Sequence, residues 1–446
     1  MADDSAYLSK DGSSQESDGG VPRRRKRSKT PRTPQPQIVY GELVVVGLNG
    51  SPSGGNDGRY RHKFVLSRRP RGNGLKVMNQ RTIVTPAQSK EKLLKQQQQS
   101  TSSYSHSVSM TINRDKSVVI DYDTDASTDM FQLGRSMDSI IDFIVFDMIP
   151  NPSRTAEPVR SNSTVSRYAC RIVCERDPPY TARLYAAGFD PQHQIVLSEQ
   201  APKWTRKSDN MIDALTTNGV MLLQPQGGFD ASSEPGLWRE VSVAGDVYQM
   251  RKSRADRERG APSPGESNIL TDGCLIDLCG VTLLWRSSIS RSQTPSDGQV
   301  DALRRRLNAS RPQCPVGLNT LQFSSTTSAS GIDSQPYAYL KCGHVHGQHE
   351  WDASGGGGER RTCPLCRKVG PYVKLRFGLE SAFYLDTSSK TYAFVPCGHV
   401  ASEKTVKYWS KVPIPYGPEE LLARCPFCAY PIMGYPGYVQ LLWDSQ

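Results

Sequence analysis

Four short cysteine-bearing pairs in the last third of this 446-residue chain constrain its fold more than any other feature. Cys342-Gly343-His344 is followed by Cys363-Pro364-Leu365-Cys366, and Cys397-Gly398-His399 by Cys425-Pro426-Phe427-Cys428. A Cys-x2-Cys knuckle lets two thiolates reach one ion, and Cys-x-His supplies a thiolate and a neutral imidazole at similar reach. Two such pairs complete a tetrahedral Zn²⁺ shell. The eight residues Cys342, His344, Cys363, Cys366, Cys397, His399, Cys425 and Cys428 therefore imply two closed, structural zinc sites, with no position left for a reactive water. Sulfur and nitrogen donors favour zinc over calcium or magnesium. Buried cysteines or a redox pair would explain one such pair, but not this doubled pattern. His346 and His349 lie nearby, and each site is full without them. Spacing leaves the pairing open: sequential pairs would give two independent lobes, interleaved pairs a cross-brace.

The remaining composition fits a partly unpacked chain. With Gly counted in place of Tyr, apolar residues come to about 40%, below the roughly 45–50% of an ordinary globular chain. The count of eleven cysteines is odd and Met1–Lys10 carries no apolar signal region, which disfavours a secreted disulfide framework. The longest apolar stretches, such as Leu43–Val46, fall far short of a membrane span. The reading is a soluble, cytoplasmic protein. Its net charge of +11 permits an anionic partner. The run Arg23–Arg27 is a candidate nuclear-import signal. Nucleic-acid binding is disfavoured, because no aromatic stacking platform accompanies that run or the basic stretch at 57–81.

Along the chain, residues 1–37 read as a disordered basic tail. Residues 38–290 carry a strand rhythm: Ile38–Val46, 59–67, Val108–Ile112 and Ser117–Tyr122 as a hairpin, Ile140–Phe146, Tyr168–Cys174, Ala182–Ala186, Gln194–Leu197, Val220–Leu223, Trp238–Val243 and Val281–Trp285. Such spacing suggests a sandwich or barrel. The charged segment Arg251–Ser267 reads as a surface excursion. Residues 291–310 form a linker holding one short helix, Val300–Leu307, and 311–446 form the zinc domain. The fold class is mainly β.

At these residues the chain resembles the Pellino family of ubiquitin ligases. The resemblance covers roughly 38–445 and is carried by Tyr180–Asp190 (YTARLYAAGFD), Leu215–Val220 (LTTNGV), Leu275–Trp285 (LIDLCGVTLLW), Arg311–Thr320 (RPQCPVGLNT), Cys342–His346 and Cys397–Trp409 (CGHVASEKTVKYW). It implies a RING-like domain of two interleaved Cys-His-Cys₂ sets, carried here by the eight residues above. Some family members have a further Cys where this chain has Ala401. RING-type ligases form no covalent ubiquitin intermediate; they hold a charged conjugating enzyme in an attack-ready geometry. By analogy, Leu365, Trp409, Pro426 and Phe427 are candidate contacts to the conjugating enzyme. Trp409 and Phe427 equally suit packing of the small zinc core.

The upstream half contains Gly134-Arg135-Ser136, Ser166-Arg167 and Thr217-Asn218-Gly219 in that order. This resembles a forkhead-associated (FHA) domain, a β-sandwich whose apical loops bind phosphothreonine. Arg135 would supply a charge-assisted fork to phosphate. Ser166 and Thr217 would add hydroxyl donors, and Asn218 would hold the peptide backbone. The family's Ser-Arg-x-His has Ala169 in place of the loop-buttressing His. Without the family resemblance, a turn-capping Arg135 and a hairpin turn at Asn218-Gly219 would suffice. The segments 48–107 and 251–268 exceed a minimal sandwich, and in the family form a wing.

Together these imply a ubiquitin ligase. Its expected partners are a ubiquitin-conjugating enzyme, ubiquitin, and a phosphorylated Pelle-type (interleukin-1-receptor-associated) kinase of Toll and interleukin-1-receptor signalling. The alternative is a phosphopeptide-binding scaffold with a purely structural zinc domain.

Overall fold

The computed structural model describes residues 37–48, 63–83, 106–145, 163–323, 334–349, 360–378, 380–416 and 420–443. The expected tail at 1–37 lies almost wholly outside them, as do parts of the expected strands at 59–67 and Ile140–Phe146.

The first half folds as strands β1 (Val39–Leu48), β2 (Lys63–Ser67), β3 (Gly74–Ile83), β4 (His106–Asn113), β5 (Lys116–Asp125), β6 (Thr128–Gly134), β7 (Phe143–Ile144), β8 (Cys170–Glu175), β9 (Ala182–Ala186), β10 (Gln194–Leu197), β11 (Lys203–Thr205), β12 (Ile212–Ala214), β13 (Met221–Leu223), β14 (Trp238–Val241), β15 (Val247–Gln249), β16 (Leu275–Asp277) and β17 (Val281–Ser287). A seven-stranded sheet in the order β15-β14-β13-β16-β17-β1-β2 and a four-stranded sheet β7-β6-β8-β9 make the sandwich. The hairpin β4–β5 was expected within it. It belongs instead to a separate four-stranded sheet, β10-β4-β5-β3. Its inner residues Val108, Met110, Ile120 and Tyr122 still join the sandwich core.

Alternation along the seven-stranded sheet decides what lies on each face, because successive side chains of a strand point to opposite sides. Leu43, Leu222, Ile276, Leu283 and Trp285 enter the sandwich core. Their neighbours Val44, Leu223, Leu275 and Leu284 enter a second core on the other face. Both faces are thus buried, which explains why Leu43–Val46 and Leu283–Trp285 read as continuous apolar runs rather than alternating ones.

Two helices follow, α1 (Ser288–Gln293) and α2 (Asp297–Ala309). α2 is longer than the expected Val300–Leu307. It starts at Ser296, whose hydroxyl accepts from the Gln299 amide while the Gln299 side chain accepts from the Ser296 amide, a capping box.

The C-terminal Cys/His-rich domain is a structural duplication. Its elements are β18 (Tyr337–Tyr339), β19 (Val345–His346), β20 (Arg360–Thr362), β21 (Val369–Lys374), β22 (Arg376–Phe377), β23 (Tyr392–Phe394), β24 (His399–Ala401), α3 (Glu403–Trp409), β25 (Pro413–Tyr416), β26 (Glu420–Ala423) and β27 (Tyr438–Gln440). In the first lobe Ala338 pairs with Val345 on one side and Val373 on the other. In the second, Ala393 pairs with Val400 and Val439. The lobes also exchange backbone reciprocally. Arg376, just past β21, donates its N–H to Gly398 O at 3.0 Å, and Leu442, just past β27, donates to Gly343 O at 2.8 Å.

The second lobe supplies the other half of the second core. Phe383, Tyr384, Phe394, Val406, Tyr408, Trp409 and Val412 pack with the outward residues of the seven-stranded sheet. The Trp238 indole N–H donates to Pro413 O. Phe229 makes edge contacts with Tyr408 and Trp409 at 5.7 and 6.4 Å between centroids. Lys63 pairs with Glu380 at 3.0 Å and Lys411 with Glu234 at 2.8 Å.

Candidate functional site

Each metal site is assembled from a hairpin turn and a knuckle. Cys342 and His344 flank Gly343 in the turn between β18 and β19; Cys397 and His399 flank Gly398 between β23 and β24. Both glycines have positive φ, 83° and 73°. A Cβ at Gly343 would collide with Gln440 O, and one at Gly398 with Lys374 O. Glycine is needed there twice over, for conformation and for the close approach of the other lobe. The knuckles repeat equally closely. Cys363 N donates to Lys368 O and Cys425 N to Tyr430 O, both at 2.9 Å; Arg367 N and Ala429 N donate back to the two cysteine carbonyls at 2.8 Å.

The side chains converge as Cys342, His344, Cys363 and Cys366 in one cluster and Cys397, His399, Cys425 and Cys428 in the other, with ligand atoms within 4.8 Å of one another in each. The pairs are therefore sequential. The interleaved arrangement implied by the family resemblance is not what this chain builds. Each lobe closes its own cluster because its knuckle lies beside its own hairpin, and the lobes are joined by backbone exchange rather than by shared ligands.

The donor chemistry suits zinc. Burial pushes the Cys342 thiol up to about 12. Burial, reinforced by the two neighbouring thiols, drives Cys425 well above its ordinary value. Three sulfurs packed this closely cannot all ionise unless a cation joins them. The Nδ1 of His399 is buried without a hydrogen-bond partner, and His344 Nδ1 faces Cys363 Sγ at 3.5 Å. Both suit ligation through Nδ1. Zinc bound there would tie hairpin to knuckle and supply folding free energy.

Two neighbours of the sites went unassigned by spacing alone. His346 is fully buried with Nε2 3.9 Å from Cys363 Sγ, where the second lobe has Ala401. Cys314 starts a third turn of the same form. Cys314 N donates to Asn319 O and Leu318 N to Cys314 O, both at 2.9 Å, with Gly317 in the place of a second ligand and its N–H 3.2 Å from Cys314 Sγ. The repeated Cys-Pro beginning would have revealed it.

The four candidate contacts to a conjugating enzyme separate. Leu365, in the first knuckle, is 51% exposed, and Val369 beside it 54%. Trp409 is wholly buried and donates its indole N–H to Phe383 O at 2.9 Å. Its expected place at a partner surface is corrected: it fills the core against the seven-stranded sheet. Pro426 is also buried. Phe427 is half-buried among Phe383, Tyr384, Phe394 and His399.

At the sandwich apex three loops come together. Arg135, exposed at the end of β6, donates its backbone N–H to Ser166 O at 3.1 Å. The Asn218 amide donates to Thr164 O at 2.8 Å and to Ser166 Oγ at 3.2 Å, and Thr217 beside it is exposed. All four residues expected to form the pocket thus belong to loops in mutual contact. Ala169 is buried and cannot brace them. Another device does: the Ser136 and Tyr168 hydroxyls both donate to Asp138 Oδ2 at 2.5 Å, linking the first loop to the second. These bonds, Ser136 foremost, hold the Asp138 carboxyl below the usual carboxylate range.

Half of the described basic residues in the stretch at 57–81 are paired with carboxylates. Lys63 meets Glu380, Arg69 meets Asp142 and Arg81 meets Asp121, so these three charges are held by the protein's own carboxylates. Among the described residues no helix is long and apolar enough to cross a membrane.

Comparison with known proteins agrees with this two-part architecture. A family model described as "Pellino, FHA domain" matches residues 31–303, and one described as "Pellino, RING domain" matches 307–446. The chain is 49% identical to the E3 ubiquitin-protein ligase pellino homolog 2 of Homo sapiens, covering 92% of this chain and 96% of that protein. It is 48% identical to pellino homolog 3 of Mus musculus (92% and 90%) and 47% identical to the protein pellino of Drosophila melanogaster (92% and 94%). The chain belongs to the Pellino family.

Proposed function

We propose that this chain is a ubiquitin ligase that selects its substrates by phosphothreonine. The observation that carries the reading is the joining of two built sites in one chain whose relatives are named E3 ubiquitin-protein ligases. One is an apex with Arg135 exposed over interlaced loops. The other is a pair of closed Cys-His-Cys₂ clusters with one knuckle turned to solvent.

Arg135 offers phosphate a charge-assisted donor fork, with Ser166 and Thr217 as hydroxyl donors. An unphosphorylated threonine gives that arginine nothing to pair with. In the zinc domain both ions would be structural. Catalysis would consist of positioning a ubiquitin-charged conjugating enzyme, docked on the Leu365 side of the first lobe, without a covalent ubiquitin intermediate on this chain. Phosphorylated Pelle-type kinases and adaptors of Toll and interleukin-1-receptor signalling are the proposed substrates, and the cytoplasm the proposed compartment.

The test is chain formation with purified ubiquitin, activating enzyme and a panel of conjugating enzymes. The wild type should form chains and Leu365→Ala should not, with two zinc ions retained in each. No chains with any conjugating enzyme would leave a phosphopeptide scaffold as the reading.

A further inference from the structure

The excursion at Arg251–Ser267 runs over the surface as expected, but it is anchored from within at its start. Its first two arginines turn inward beneath the loop that carries Thr217 and Asn218. The Arg251 side chain is only 2% exposed and forms a forked ion pair with Glu240, Nη2 to Oε1 at 2.6 Å and Nε to Oε2 at 3.0 Å. Its remaining donors reach Asp256 O and Thr216 O at 3.0 Å and Thr217 O at 3.4 Å. Arg254 pairs with the buried Asp277 at 2.6 Å and donates to Asn218 O and Gly219 O. Two guanidinium groups therefore hold the four successive carbonyls of Thr216–Gly219. The same loop is tied on its other side by the Asn218 amide to Thr164 and Ser166.

We propose that Arg251 and Arg254 are positioning residues of the phosphopeptide pocket, fixing Thr217 and Asn218 in the geometry that engages a phosphothreonine segment. This rests on the phosphothreonine reading above. Each arginine is already neutralised by its own carboxylate, so its contribution is geometric rather than a field at the phosphate. A planar fork serves this task better than an ammonium, because it spans two carbonyls and a carboxylate at once. The loop's other ties are its own turn, Gly219 N–H to Thr216 O at 3.2 Å, and the Asn218 amide. Without the two guanidinium groups, the ordering cost would fall on peptide binding.

The test uses the full chain and two fluorescent peptide libraries, degenerate around a central threonine, one phosphorylated and one not. Wild type should bind only the phosphorylated library. Arg254→Met should weaken that binding by about tenfold or more, the worth of one hydrogen bond to a charged group. Arg254→Lys should restore part of it. Arg251→Met leaves Glu240 buried and unpaired, so the double variant Arg251→Met/Glu240→Gln is the informative partner and should weaken binding similarly. Arg286→Met serves as the control. It breaks another buried pair, with Glu42 at 3.1 Å, and should lower the melting temperature without altering peptide affinity. Backbone amide exchange at Asn218 and Gly219 should accelerate in Arg254→Met and not in Arg286→Met. Wild-type affinity in Arg254→Met, or an equal loss in Arg286→Met, overturns the inference. Failure of wild type to bind the phosphorylated library removes the phosphothreonine reading itself, a different result from the first two.

Discussion

The two Cys-His-Cys₂ lobes share one local code and differ in what surrounds it. Ligand types, strand register, positive-φ glycines and knuckle hydrogen bonds repeat from one to the other. Yet the first knuckle presents Leu365 and Val369 to solvent, while the second lobe is packed into the core of the seven-stranded sheet. Metal spacing therefore specifies the lobe and says nothing about its use. Use is set by the residues between the ligands. The second lobe inserts α3 and the β25–β26 hairpin between its turn and its knuckle, and these deliver Tyr408, Trp409, Val412 and Ile414 to the sandwich. One lobe keeps the apolar residues of its knuckle exposed, and the other joins the two halves of the chain.

The sharpest way to break this comparison is to empty one lobe at a time. Cys425→Ser and Cys363→Ser should each lower zinc from two ions to one per chain by mass spectrometry. Only Cys425→Ser should also unfold the outer face of the sandwich, because loss of a structural zinc site removes on the order of 10 kcal/mol of folding free energy from that lobe. Equal losses of sandwich stability would show that the second lobe supports the sandwich no more than the first does. Next in size, Trp409→Ala should cost about 3–5 kcal/mol in denaturant unfolding, as for a large aromatic removed from a packed core. A partner-facing tryptophan would cost little.

A smaller effect tests the symmetry rather than the asymmetry. Gly343→Ala and Gly398→Ala both force a Cβ against a carbonyl of the other lobe at positive φ. Each should lower stability by about 1–3 kcal/mol. A loss in only one would mean that the backbone exchange is not reciprocal. The smallest effect concerns Lys411, whose pair with Glu234 is more than half exposed on both sides. Lys411→Ala should cost no more than about 1 kcal/mol and should be masked by salt. A larger loss would mean that the halves are joined by charge rather than by the apolar face.

Much of this was legible in the sequence, and the rest was hidden for identifiable reasons. The eight ligands follow from residue type and spacing, and the strands at Leu43–Val46 and Val281–Trp285 from apolar runs. The same runs carried a signal that was not used: unbroken rather than alternating apolar residues require cover on both faces of their sheet. The pairing of ligands was not legible, since four such pairs in succession fit either arrangement. Trp409 was ambiguous because a seven-residue helix beside a metal site gives no hint of which side meets protein. Arg251 and Arg254 were hidden by their company: in a stretch of Arg, Asp, Glu and Lys, one buried and one half-buried arginine look like solvated ones until Glu240 and Asp277 are placed beneath them.

Each lobe gathers its own Cys-His-Cys₂ set, so each should close its own ion. Replacing zinc with ¹¹³Cd and correlating each metal resonance with cysteine β-protons tests it directly. One ion should couple to Cys342, Cys363 and Cys366 and the other to Cys397, Cys425 and Cys428. A single resonance coupled to cysteines from both sets would establish the cross-brace and contradict this pairing.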